Sequence, residues 1–234
     1  MSKPHCIVIG VGAGTGLACV RRFVEGGYAV SMIARNAERL GNWEQEIAGT
    51  AAVPVDIADF DAFRDALLAT VECHGTPERV IYNATLANFG RFGEIDVERF
   101  ELCYRVNTAG LLVAAQTLAP GMTELPDSAL VVTGNTASQR GKPAFMGWAS
   151  SKAGQRILAE ALARELGPQG VHVAYIVIDA VIDMPLTRGR GGVDRGDDFY
   201  AKPSELADEI YRVAHQPRSA RSFLVELRPF GESW

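Results

Sequence analysis

Short apolar runs alternate along this chain with longer stretches whose apolar positions recur at helical spacing. The runs 6–9, 29–34, 51–55, 79–82, 130–133, 171–178 and 223–227 read as strands. Their lengths and apolar character suit a sheet interior. The intervening segments read as helices: from the Gly-rich stretch to about residue 25, then 36–47, 59–73, 97–119, 147–166 and 204–214. Asn36 and Asp59 are placed to cap two of them, and Pro203 with Ser204 starts the last; their side chains or geometry satisfy first-turn amides. Gly26-Gly27 and Gly167-Pro168 act as stops. The run 171–178 is uniformly apolar and rich in β-branched residues, as expected of a parallel strand covered on both faces.

Such alternation predicts an α/β fold. It is a Rossmann-type, doubly wound parallel sheet of about seven strands, flanked by helices in three layers. No linker, repeat or low-complexity tract divides residues 1–234, so a single domain is expected. The stretch 187–202 is rich in Gly, Arg and Asp. It reads either as a lid over the site or as a solvated surface loop.

Composition narrows the function classes. A charged fraction of 22% against 47% hydrophobic residues is that of a globular protein. A net charge of −5 does not favour nucleic acid or an acidic membrane as partner. No apolar run approaches the ~18 residues of a membrane span, and the apolar run after His5 is too short for a signal-peptide core. Cys6, Cys19, Cys73 and Cys103 form no C-x-x-C pair, which suits reduced thiols and a cytoplasmic location. His5, His74, His172 and His215 show no metal-ligand spacing, so no metal site is expected.

The chemistry-bearing sequence begins at Gly10-Val11-Gly12-Ala13-Gly14-Thr15-Gly16, between the first strand and the first helix. Glycines there allow a tight turn and close backbone approach to a pyrophosphate, and the helix N-terminus adds amide donors. At the end of the second strand the chain reads Ala34-Arg35-Asn36, with no acid between Tyr28 and Ala37. A carboxylate there would repel a ribose 2′-phosphate, whereas Arg35 is placed to pair with one.

These motifs, with Trp148-Ala149-Ser150-Ser151-Lys152 further on, resemble the short-chain dehydrogenase/reductase family over almost the whole chain. Gly10, Gly14 and Gly16 match its G-x-x-x-G-x-G spacing, with Thr15 among them. The resemblance implies a bound dinucleotide, NADP in preference to NAD because of Arg35. It gives an adenine contact to Asp56, a nicotinamide carboxamide contact to the backbone at Ile182 and a ribose contact to Lys152. It adds Ile57 to the cofactor-binding residues, and also Asn83 and Ala84, since Asn83-Ala84-Thr85 stands where the family has Asn-Ala-Gly. In the family a Tyr exchanges the proton, a Lys lowers its pKa, a Ser orients the substrate oxygen and an Asn anchors a relay water. The matching positions here are Trp148, Lys152, Asn135 and Asn107.

Two of these four depart from the family. An indole N–H is a donor that does not titrate near neutral pH. Trp148 therefore cannot relay a proton, and general acid catalysis supplies typically ~10²–10⁴-fold. Lys152 with a water is the first replacement to consider, ahead of Tyr82, Tyr104, Tyr200, Asp179 and Asp183. Asn135 retains a donor, through its amide. After the sixth strand, Asp179-Ala180-Val181-Ile182-Asp183-Met184 replaces the family's Pro-Gly and following Thr. The function implied is an NADP-dependent oxidoreductase with an atypical proton source, acting on a carbonyl, an alcohol or an activated double bond of a small molecule. The alternative is an inactive NADP-binding sensor, scaffold or partner subunit. The family also implies a homodimer or homotetramer.

Overall fold

The computed structural model describes residues 3–188 and 195–232. Among these, seven parallel strands form one sheet. They are β1 (His5–Ile9), β2 (Ala29–Ala34), β3 (Thr50–Pro54), β4 (Arg79–Tyr82), β5 (Ser128–Asn135), β6 (Val171–Ile178) and, last in the chain, β9 (Leu224–Leu227). Their order is β3-β2-β1-β4-β5-β6-β9. Successive strands run outward from β1 to β3, and the order then reverses between β1 and β4. Ligands of open α/β sheets sit at such a reversal, beyond the carboxyl ends of the strands.

Alternation along each strand explains the three layers. Cys6, Val8 and Met32 face one side, where α1 (Thr15–Glu25), α2 (Ala37–Glu46) and α7 (Pro203–Ala214) contribute Phe23, Leu40 and Ile210. Ile7, Ile9 and Ile33 face the other side. There α3 (Phe60–His74), α5 (Gly110–Met122) and α6 (Met146–Leu166) supply Phe63, Leu111 and Leu162. Each of these apolar strand residues thus packs in the cluster on its own side of the sheet. Asn36 and Asp59 cap their helices as expected, accepting from the amides of Arg39 and Ala62.

Three expectations need correction. The segment 97–119 is not one regular helix: α4 (Val97–Tyr104) and α5 are joined by a π-helical turn at Arg105–Ala109. Such turns insert a residue and re-aim a side chain, often at a functional site. The residue re-aimed here is Asn107, which is fully buried. The predicted fifth strand is too short at both ends, so Asn135 is the last residue of β5 rather than a loop residue. The segment 187–202 has more structure than expected on its described part. Tyr200–Ala201 (β8) pairs in parallel with Val181–Ile182 (β7). Arg188 bridges Asp183 at 2.5 Å and Asp197 at 2.8 Å. Residues 189–194 of the expected lid lie outside the described residues.

Candidate functional site

The glycine turn is built by close backbone packing. Gly10 has φ +90°, and a Cβ on it would lie 2.4 Å from the backbone N and Cα of Ala84. A Cβ on Gly16 would lie 2.7 Å from the carbonyl oxygen of Gly10. The turn is pinned to β2, because the amides of Gly10 and Val11 both donate to the Ile33 carbonyl. It is pinned to β4 by Asn83, whose Nδ2 donates to the Gly10 carbonyl at 2.9 Å. No side chain caps the α1 N-terminus. Beside it Thr15 Oγ1 is buried and has no hydrogen-bond partner within the protein. A buried hydroxyl without a partner is costly. An uncapped helix start and an orphan hydroxyl in a glycine cradle fit the phosphates of a dinucleotide.

The flanking candidates sit at the same end of the sheet. Arg35 is exposed just past β2. Asp56 is exposed after β3 and accepts from the amide of Ala58, so its carboxylate also closes a local turn. Ile57 and Ala84 are buried. Ile182 lies in β7, and Met184 follows it across the glycine turn: a Cβ on Gly14 would lie 2.5 Å from Met184 Sδ. The thioether therefore occupies the bare face of Gly14, a contact that strand and helix periodicity did not reveal.

The cradle is connected to Lys152 by a chain of hydrogen bonds. Asn83 Oδ1 accepts from Thr133 Oγ1 at 2.9 Å. The Thr133 carbonyl accepts from Lys152 Nζ at 3.2 Å. Lys152 is 2% exposed on α6, and its second acceptor is Gln155 Oε1 at 2.9 Å. Burial pushes its ammonium down to about 7. Asn107 is held by Leu86 on both faces of its amide, and its Nδ2 also reaches Ser151 Oγ at 2.9 Å. It touches Lys152 only through Gln155, whose Nε2 donates to the Asn107 carbonyl at 2.7 Å.

Trp148 stands one turn before Lys152, half-buried, in an aromatic group with Phe89 and Phe145. Its indole N–H donates to Thr85 Oγ1 at 3.3 Å. Asn135 Oδ1 accepts from the Ala137 amide at 3.0 Å, so its NH2 is the end left to donate. Three of the other conceivable acids, Asp179, Asp183 and Tyr82, are engaged in bonds of their own. Asp179 accepts from Nε and Nη2 of Arg228 at 2.8 and 2.6 Å. The Arg188 guanidinium holds the Asp183 carboxyl below its ordinary range. Tyr82 is buried, donates to the Val106 carbonyl, and is held far above the phenol range by burial. Tyr200 is buried against Phe199. Tyr104 lies against Phe100 on α4.

Thr133 and Gln155 belong to this arrangement and were not among the expected site residues; Thr85, which stands for Gly in the Asn83-Ala84-Thr85 motif, joins it as the acceptor for Trp148. For Gln155 the available signal is its place three residues after Lys152, which puts it on the same face of the helix, buried with Ser151 and Lys152. Among the described residues no group of three or more His, Cys, Asp or Glu is disposed to hold a metal, and no helix is long and apolar enough to cross a membrane.

Comparison with known proteins agrees with this geometry. Residues 4–188 match the short chain dehydrogenase family. An L-xylulose reductase of Mus musculus is 30% identical over 186 residues, spanning 79% of this chain and 74% of its own. A short-chain dehydrogenase of Rhodopseudomonas palustris superposes with a TM-score of 0.83 at 28% identity, over 97% of this chain and 99% of that one. An alcohol dehydrogenase of Thermococcus sibiricus, solved with 5-hydroxy-NADP, shares the fold with a TM-score of 0.84 at 23% identity, over 98% of each chain. With its glycine cradle, parallel sheet and buried lysine, the chain belongs to the short-chain dehydrogenase/reductase family of oxidoreductases.

Proposed function

We propose that this protein is an NADP-dependent oxidoreductase in which Lys152 carries the exchanging proton, because Trp148 stands where the family has its Tyr. The observation that supports it best is the hydrogen-bond chain Gly10–Asn83–Thr133–Lys152, which joins the dinucleotide cradle to a buried lysine. Gly10, Gly14, Thr15 and Gly16 would hold the pyrophosphate, Arg35 the 2′-phosphate, and Asp56 with Ile57 the adenine side. Asn83, Ala84, Ile182 and Lys152 would hold the nicotinamide side. A nicotinamide held there would supply or accept the hydride.

The remaining steps belong to side chains. Lys152, poised near neutral pH, gives a proton to the substrate atom that gains negative charge and takes one in the reverse direction. Asn135 donates to the substrate oxygen through its free NH2. Trp148, Phe89 and Phe145 offer an aromatic wall that favours a flat, apolar small molecule over a sugar-like one. A substrate activated by conjugation needs less help from a strong acid, which suits this site. Homodimeric or homotetrameric assembly belongs to the same reading, with Leu112 and Ile157 exposed on the α5 and α6 surfaces. Light scattering in solution checks it.

A second reading, an inactive NADP-binding protein, draws on the one indole N–H being spent on Thr85. Titration of NADPH and NADH by tryptophan fluorescence, with Trp148→Phe to assign the signal, tests the cofactor half of both. The expected result is NADPH affinity about tenfold or more above NADH, one charge-assisted contact's worth. Binding of neither dinucleotide would overturn both readings.

A further inference from the structure

Gln155 is a polar side chain with no exposure on the core-facing side of α6. Both ends of its amide are used. Oε1 accepts from Lys152 Nζ at 2.9 Å, and Nε2 donates to the Asn107 carbonyl at 2.7 Å. Tyr175 of β6 adds a longer contact from its hydroxyl to Oε1 at 3.4 Å. An amide is the side chain that can join a donor to an acceptor here. A methionine would remove one of the two acceptors of Lys152 Nζ and the side-chain donor to the Asn107 carbonyl, and a carboxylate would face that carbonyl with a like partial charge.

We propose that Gln155 is a positioning residue: it clamps Lys152 Nζ between the end of β5 and the Asn107 carbonyl and sets the proton affinity of that lysine. The proposal rests on the reading of Lys152 as the titrating group of the site. An acceptor bonded to Nζ favours the ammonium over the amine, so Gln155 opposes the effect of burial. The other titratable or charged groups about this lysine are Tyr175 on β6, held up at about 12 by burial, Tyr82 on β4, bonded to the Val106 carbonyl, and Arg156 on α6, bonded to the Ser138 carbonyl.

The test follows stability against pH by urea unfolding of the full chain, with Lys152→Met as reference. An unfolded lysine holds its proton up to about 10.5, whereas folded Lys152 releases it at about 7. Between those values the unfolded state binds more protons, so stability rises with pH above about 7. Lys152→Met lacks this rise, while His5, His172 and His215 are common to both proteins and cancel in the difference.

Gln155→Met, which removes the acceptor, moves the onset of the rise down by about one pH unit or more. Gln155→Glu, which supplies a carboxylate, moves it up by a similar amount. An onset unchanged in both variants overturns the proposal. So does failure of both to fold while Lys152→Met folds, because the role is then structural. The measurement needs no dinucleotide, so a chain that binds no NADPH defeats the functional reading and leaves this result legible.

Discussion

The two halves of the site are fixed by different means. At the proposed dinucleotide end the shape is backbone: Gly10 and Gly16 are pressed against the main chain of Ala84 and of Gly10 itself, where no side chain has room. At the reacting end the shape is side chains: Trp148 on Thr85, Asn135 on Ala137, and Gln155 between Lys152 and Asn107. A backbone cradle admits few substitutions, because a new atom meets chain that cannot move aside. A wall of side chains can be exchanged one residue at a time while the sheet beneath stays the same. The difference accounts for a chain that keeps the family's glycine turn and lysine yet carries an indole four residues before that lysine.

The largest expected effect sharpens this contrast at Trp148. Trp148→Tyr returns a titratable hydroxyl to a ring position still flanked by Phe89 and Phe145. We expect kcat/KM for NADPH-driven reduction of simple aromatic ketones to rise by about 10²–10⁴-fold, the usual worth of a placed general acid. Steady-state kinetics on a ketone panel reads it. No gain, with NADPH binding intact, would mean that Asn135 or Gln155 also blocks the chemistry, and that the reacting end is not a frame awaiting one residue.

At the other end, Gly10→Ala probes the cradle. The substitution demands φ +90° of an alanine and places its Cβ 2.4 Å from the Ala84 backbone. Strain and clash together cost on the order of 3 kcal/mol. Urea unfolding should show that loss, and fluorescence titration should show NADPH binding reduced beyond detection. An alanine that leaves both unchanged would remove the distinction between a rigid and an exchangeable half.

The same contrast explains what was legible in the sequence. Strands, the Asn36 and Asp59 caps and the glycine turn depend on residues near one another in the chain, and each was read at nearly its observed place. The contacts that decide the reacting end are distant. Arg228 reaches back 49 residues to occupy Asp179, and Gln155 meets Asn107 across 48. Nothing local announces either pair. The π turn at Arg105–Ala109 was hidden for another reason: its sequence keeps a helical apolar period, and only the buried bonds of Asn107 mark the added residue. In the sequence Met184 is only the end of the run that follows the sixth strand; its seat on Gly14 depends on the fold that brings the residue after β7 to the start of α1.

The smallest effect concerns Arg35, the side chain proposed to meet the 2′-phosphate. Arg35 is exposed, so its attraction to a 2′-phosphate is screened and modest. Arg35→Ala should weaken NADPH by about tenfold and leave NADH unchanged, since only the former carries the phosphate. The gap between the two nucleotides should narrow as salt is raised, because counter-ions compete for an exposed pair. Fluorescence titration at low and high ionic strength gives both numbers. Retained NADPH preference in Arg35→Ala would move the selectivity to Arg39, one turn into α2, whose guanidinium lies 5.3 Å from the Trp43 ring centroid. The double variant Arg35→Ala with Arg39→Ala would then have to abolish it. Preference surviving even that would place phosphate selectivity in the backbone cradle, and the division between a backbone-built and a side-chain-built half would run deeper than Arg35.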